Sequence, residues 1–237
     1  MKSPTVLQES VVHVHIKPED VSKAAIINES INKKKWAFFL KRLFDIIVSI
    51  VLILLFSPIL ITVAFIIKLT SRGPLLYSNE RVGLYGSNFK CHKLRSMVTN
   101  QASKEEDHKI AVAGQVKGIL HKKKNDSRVT WIGKIIRKFS IDELPQLFNV
   151  LLGDMSIVGP RPLVPFMLFP YPDFKEIRCF VRPGITGLWQ IRDRENNTSA
   201  EFMIQHDTEY IENYSLLLDL KILISTPFVV LSAKGAY

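Results

Sequence analysis

Asp142 and Glu143 stand side by side in Ser140-Ile141-Asp142-Glu143-Leu144-Pro145-Gln146, and Met155-Ser156-Ile157-Val158-Gly159-Pro160-Arg161-Pro162 follows about one helix length later. Arg137 and Lys138 precede the pair, and Arg161 sits in the Gly-Pro-Arg-Pro turn. Adjacent carboxylates among cations suit the handling of a phosphate and a metal. The cations offset charge that would repel an anionic substrate, and the carboxylates can serve as nucleophile or hard-metal ligand. A structural role competes for the same residues: Ser140 with Glu143 three positions on reads as a capping box, and acids in a first helical turn complement the helix dipole. The two roles are compatible, because a helix N-terminus keeps a carboxylate ionised.

The elements that position this pair belong to a chain of 237 residues, long enough for one domain with appendages or two small ones. Its net charge of +10 and pI near 9.6 point to an anionic partner: nucleic acid, anionic lipid or a phosphorylated substrate. The mean hydropathy is positive, +0.12, which favours a membrane surface over nucleic acid. Cys91 and Cys179 match no metal-ligand or redox spacing, so the sequence predicts a reducing compartment and no disulfide framework.

Residues 46–67, IIVSIVLILLFSPILITVAFII, are almost entirely apolar. As a continuous helix they would reach ~33 Å, enough for a ~30 Å hydrocarbon core. Ser57-Pro58 falls at the midpoint, where proline removes a backbone donor and kinks a helix. Both flanks are basic, with Lys33, Lys34, Lys35, Lys41 and Arg42 before and Lys68 and Arg72 after, so the positive-inside rule draws both ends to the cytoplasmic side. A spanning helix and a hairpin that dips into one leaflet both remain open on these features.

Elsewhere, residues 1–32 read as a flexible tail or short strand. Residues 75–81 and 89–97 read as the strands of a hairpin around a Gly83…Gly86-Ser87-Asn88 loop. Residues 98–125, ending in a lysine run, read as a surface loop, 131–139 as a short amphipathic helix with a basic side, and 141–152 as the next helix. Residues 163–171 are apolar, aromatic and proline-broken, suited to a buried segment or a membrane interface. Residues 181–187 read as a turn-rich loop, and 208–213 and 215–233 as helices, the last interrupted at Pro227.

Assembled, the chain resembles the bacterial sugar transferase family, the monotopic phosphoglycosyl transferases, from about Lys41 to Tyr237. The pieces that carry the resemblance occur in order: KRLFDIIVSIVLILLFSP, IKLTSRGPLLYSNERVGLYGSNFKCHKLRSM, DSRVTWIGKIIRKFSIDELPQLFNVLLGDMSIVGPRP, VRPGITGLWQIRDR and DTEYIENYSLLLDLKIL. Two departures stand out: the segment between Met97 and Asp126 is longer than in the smallest members, and Asp193 replaces a glycine.

The resemblance implies transfer of a sugar 1-phosphate from a UDP-sugar to polyprenyl (undecaprenyl) phosphate at the cytoplasmic face of a bacterial inner membrane, with release of UMP. It implies Asp142 as nucleophile of a covalent phosphosugar intermediate, Glu143 as its partner, and Mg²⁺ at that dyad. Lys93, Arg137 and Arg161 match cations that surround the phosphates, with Arg182 and Arg194 in the later loop as further contacts. Ser57-Pro58 matches the family's helix break, which favours the re-entrant hairpin. The expected architecture is α+β and mostly helical: a polar tail over 1–35, a membrane-inserted helix-break-helix anchor over 36–72, and a cytoplasmic catalytic domain over 73–237 with a β-hairpin and interfacial amphipathic helices. Its implied partners are the UDP-sugar, the polyprenyl phosphate and membrane lipids, and no nucleic acid. The chain carries none of the added domains of some relatives, so a minimal catalytic unit is expected. Two rivals remain: a membrane-anchored basic module that binds anionic lipid or polymer without catalysis, and a glycosyl transferase that moves the sugar alone and releases UDP.

Overall fold

The computed structural model describes residues 18–98, 126–192 and 200–232. It is a mostly helical α+β structure with one long apolar helix near the N-terminus and two small two-stranded sheets. Arg194 and the lysine run of 122–124 lie outside the described residues.

The first element departs from the expected tail or strand. Residues Pro18–Lys33 form helix α1, with proline at a helical first position, where its missing N–H costs nothing. Ala24 and Ile27 on this helix are buried in the main core, and Lys23 pairs with Glu212 at 3.0 Å. Its polar composition hides a narrow apolar stripe that only a partner surface makes worth forming.

Helix α2 runs from Lys35 to Thr70 and is, among the described residues, the one helix long and apolar enough to cross a membrane. The expected break at Ser57-Pro58 meets a helix assigned without interruption through Pro58. The reason is local. Pro58 cannot donate to Leu54 O, and the Ser57 hydroxyl donates to that carbonyl instead, at 2.8 Å. The fully buried residues of α2 cluster at its two ends. Lys41, Asp45 and Ser49 are buried at one end and Val63 and Ile67 at the other, with none buried between.

Strands β1 (Leu76–Val82) and β2 (Asn88–Leu94) form the expected antiparallel hairpin, in a register that pairs Tyr77 with Lys93 and Arg81 with Phe89. Helix α3 (Trp131–Lys138) follows, its N-terminus capped by Thr130 Oγ1 accepting from Gly133 N–H at 3.0 Å. Val63 and Ile67 of α2 pack with Leu94, Ile132 and Ile136 in one apolar cluster, so the far end of α2 rests on the hairpin and α3.

The segment expected as one helix over 141–152 divides into a 3₁₀ turn, Ile141–Glu143, and helix α4, Gln146–Leu152. Asn149 of α4 is fully buried. Its amide donates to Lys90 O at 2.8 Å and Asp154 Oδ2 at 3.1 Å, and its Oδ1 accepts from His92 N–H at 3.0 Å, pinning α4 to β2.

Residues 181–187 are more than a loop. Strand β4 (Gly184–Thr186) lies parallel to β3 (Ser156–Val158), pairing Ser156 with Gly184 and Val158 with Thr186. The approach beside this pair requires glycine: a Cβ on Gly184 would lie 2.1 Å from Gly159 N, and one on Gly159 would lie 2.5 Å from Arg182 O. Residues 163–171 divide between the two alternatives: Leu163 and Leu168 are buried in a second apolar cluster, with a 3₁₀ turn over Pro165–Leu168, while Phe169 is exposed. Helix α5 (Pro172–Arg178) and the short helix α6 (Leu188–Arg192) complete this region.

Helices α7 (Ala200–Glu212) and α8 (Leu216–Leu231) close the core, α8 continuing through Pro227. The near end of α2 is tied to this core by polar contacts. Lys41 Nζ donates to Asp219 Oδ2 at 2.7 Å, Tyr210 OH donates to Asp219 Oδ1 at 2.7 Å, and Asp45 accepts from Ser156 Oγ at 2.7 Å and Ile157 N–H at 3.0 Å. Both cysteines are free and buried.

Candidate active site

Four elements converge on the dyad. The 3₁₀ turn presents Asp142 and Glu143, β2 presents Lys93, α3 presents Arg137, and the turn after β3 presents Arg161. Lys93 Nζ meets Glu143 Oε1 at 2.5 Å, and Arg161 Nη2 meets the same oxygen at 3.5 Å. Arg137 is held by its Nε donating to Ser96 Oγ at 2.8 Å. Lys93 and Arg137 are the cations that act on Asp142. The structure thus brings Asp142, Glu143, Lys93, Arg137 and Arg161 together.

The local backbone overturns the capping box. Ser140 is left-handed, at φ 55 and ψ 22, and its side chain does not cap the turn that follows. An N-cap needs extended backbone, whereas Ser140 here makes the sharp link between α3 and the 3₁₀ turn. The expectation that a helix N-terminus would keep Asp142 readily ionised fails with it. Asp142 is only 8% exposed, and burial, reinforced by the Glu143 charge, pushes its pKa up to about 6 against the pull of Lys93 and Arg137. A carboxylate that titrates there is ionised at neutral pH yet poorly solvated, which favours nucleophilic attack.

Arg182 is placed elsewhere: its Nε donates to Gly153 O at 2.8 Å, beside Arg42, bracing the end of α4. Arg42 itself donates to Val150 O at 2.5 Å and Leu151 O at 3.0 Å. The structure adds residues that the motif reading passed over. A cleft beside Glu143 is lined by Arg81, Cys91, Lys93, Gln146 and Arg161 among others. Behind it, buried Arg178 donates to the backbone carbonyl of Arg161 and faces Asp207 at 3.8 Å. Burial raises the pKa of Asp207 to about 7. The Arg161 guanidinium also lies 5.9 Å from the Trp189 ring centroid. Arg81 was legible as a cation in a strand, but nothing in the linear sequence separates it from an exposed one.

Among the described residues there is no group of three or more His, Cys, Asp or Glu that could hold a metal. The dyad offers two adjacent carboxylates, of which Glu143 Oε1 is engaged by Lys93 and Arg161.

A model of the bacterial sugar transferase family matches residues 36–233, most of the chain. The chain belongs to the bacterial sugar transferase family. Among curated members, it is 44% identical over 209 residues to the undecaprenyl-phosphate galactose phosphotransferase of Salmonella typhimurium, covering 86% of this chain and 43% of that protein. It is 39% identical over 199 residues to the exopolysaccharide production protein ExoY of Sinorhizobium fredii, covering 83% of this chain and 88% of that family member. It is 42% identical over 204 residues to the UDP-glucose:undecaprenyl-phosphate glucose-1-phosphate transferase of Klebsiella pneumoniae, covering 83% of this chain and 41% of that one. The chain therefore spans less than half the length of two of these relatives and most of the third.

Proposed function

We propose that this protein is a phosphoglycosyl transferase that moves a sugar 1-phosphate from a UDP-sugar to undecaprenyl phosphate, as the first membrane step of a cell-surface polysaccharide or glycoconjugate pathway. The observation that carries the reading is a desolvated Asp142 beside Glu143 with Lys93, Arg137 and Arg161 around them. Family relatives named as undecaprenyl-phosphate galactose phosphotransferase and UDP-glucose:undecaprenyl-phosphate glucose-1-phosphate transferase support the substrate classes.

In the first half-reaction an Asp142 carboxylate oxygen attacks the β-phosphorus. The Asp142 O–P bond forms, the bond from β-phosphorus to the bridging oxygen breaks, and its electron pair leaves with UMP. In the second, a polyprenyl phosphate oxygen attacks the same phosphorus, forming the diphosphate and returning the electron pair to Asp142. Phosphoryl transfer asks a protein mainly to position groups and neutralise charge, which matches three cations against a dyad. Lys93, Arg137 and Arg161 hold phosphate oxygens, and Glu143 orients Lys93 and Arg161. Asp142 and Glu143 would hold Mg²⁺, which when bound supplies further neutralisation of the phosphates.

The membrane side of the reading rests on α2. Its two ends pack on one folded body, Asp45 on β3 and Ile67 against Leu94 and Ile136, while its middle has no buried residue. Because both ends of this continuous helix rest on one folded body, its exposed apolar middle supports an anchor held against one face of the membrane, which in this reading is the cytoplasmic face of the inner membrane. Exposed Trp131, Ile135 and Phe139 around α3, and Leu217, Leu220, Ile224, Phe228 and Leu231 on α8, suit the bilayer interface. A lipid-binding module would account for the charge and the anchor but not for a buried Asp142 beside Glu143 among cations.

The test is to incubate detergent-solubilised protein with a panel of UDP-sugars, Mg²⁺ and undecaprenyl phosphate and to identify the nucleotide released. UMP is expected. UDP would make it a glycosyl transferase, and no release across the panel would favour the binding module.

A further inference from the structure

Arg81 is the cation of the cleft for which the protein supplies least. It lies at the end of β1, and its Nη1 donates to Pro162 O at a long 3.3 Å. Its Nε is shielded from solvent and has no hydrogen-bond partner among the described residues. Glu143, the carboxylate whose charge acts on it, is already shared between Lys93 and Arg161, and the largest charge acting on Arg81 is the like charge of Arg161. A shielded guanidinium facing a second one and half a carboxylate is undercompensated. Burying charge in that way is costly unless an anion joins it. Lys93 and Arg137 are the cations that act on Asp142 and Arg161 is the cation that acts on Arg81, while the Glu143 charge acts on both. The cleft is lined by Arg81, Lys93, Glu143 and Arg161.

We propose that Arg81, with Arg161, forms the subsite for the phosphate opposite the nucleophile: the α-phosphate that departs as UMP, and afterwards the phosphate of the entering lipid. This rests on the function proposed above and deepens it. In-line displacement puts nucleophile and leaving oxygen on opposite sides of the reacting phosphorus. A diphosphate whose β-phosphorus faces Asp142 between Lys93 and Arg137 therefore extends its α-phosphate past Glu143, toward Arg81 and Arg161. When the β-phosphorus–oxygen bond breaks, the electron pair stays on the oxygen that leaves with UMP, and the two guanidinium groups match the charge left there without a proton transfer. The lipid phosphate attacks along the reverse path, so one subsite serves both anions in turn.

The experiment compares the affinities of UMP and uridine for the full-length protein in detergent by titration calorimetry, for wild type, Arg81→Met and Arg81→Lys. Uridine serves as the internal control, since it lacks only the phosphate. The wild type is expected to prefer UMP. Arg81→Met is expected to cut that preference about tenfold or more, equivalent to about 1.4 kcal/mol, with uridine affinity unchanged and Arg81→Lys intermediate. An unchanged preference in Arg81→Met overturns the subsite. Parallel loss of both ligands, unrescued by lysine, also overturns it and makes Arg81 a brace for Pro162. The two proposals fail separately. Wild type that releases UMP from UDP-sugars while Arg81→Met keeps the full preference leaves the function standing without the subsite. A preference that collapses in Arg81→Met, in a protein that turns over no UDP-sugar, leaves a nucleotide-phosphate subsite without that function.

Discussion

Replacing Asp142 with asparagine is expected to destroy the chemistry and stabilise the fold. Burial and Glu143 raise the carboxyl pKa from 3.8 to about 6, so folding disfavours the ionised form. At 1.36 kcal/mol per unit this is about 3 kcal/mol. The sign follows from linkage. Between about pH 4 and 6 the folded state holds a proton that the unfolded state has released, so stability falls as pH rises through that window and the penalty is complete above it. Asparagine has nearly the same shape and never ionises. Its advantage over wild type should be near zero at pH 4 and grow to about 3 kcal/mol by pH 7, on the order of 6–12 °C in Tm for a chain of this size. The assay is thermal or urea unfolding of both proteins in one detergent at steps from pH 4 to 8, alongside mass spectrometry for the phosphosugar adduct, which the variant should not form. A gap that does not change with pH, or a variant less stable than wild type at pH 7, would refute the claim that burial dominates at Asp142. A full-strength adduct in the variant would remove Asp142 as the nucleophile.

The same titration governs the rate: adduct formation in wild type should rise with pH through about 6 and level off above 7, as read by quenched-flow mass spectrometry, and a flat profile from pH 5 to 7.5 would count against an attacking Asp142 carboxylate. Asn149→Leu removes three hydrogen bonds that join α4 to β2 and to Asp154, leaving Lys90 O and His92 N–H without them. It should cost about 2–4 kcal/mol in urea unfolding. Lys41→Met leaves Asp219 buried without its cation and should cost about 3–5 kcal/mol, while Lys41→Met combined with Asp219→Leu should recover much of that loss in thermal melts.

Much of the architecture was legible because its signals are local. The glycine-bearing loop between two short runs gave the β1–β2 hairpin, and with it the strand that carries Lys93. Helical spacing gave α3 and therefore Arg137, and uninterrupted apolar composition gave α2. Other features were out of reach because they depend on partners distant in sequence. Helix α1 has too little apolar surface to announce itself, and exists where Ala24 and Ile27 find the core. Strands β3 and β4 have three residues each and pair across more than twenty intervening positions, beside two glycines that allow their backbones to approach. Arg182 lies in a later motif that the resemblance joins to the substrate cations, yet folding turns it toward Gly153.

The dyad divides along the same line. The sequence by itself determined that Asp142 and Glu143 are adjacent, that cations stand at 137 and 161, and that an apolar segment lies upstream, because covalent order and composition need no folding to be read. Tertiary structure decided the state of those groups. It replaced the expected capped helix start by a left-handed Ser140 and a short 3₁₀ turn, buried Asp142, gave Glu143 to Lys93 and Arg161, and turned Arg81 into the same cleft. A carboxylate's pKa and a cation's partners are set by solvent exclusion and by charges a few ångströms away, and those neighbours come from strands, helices and turns that only the fold brings together.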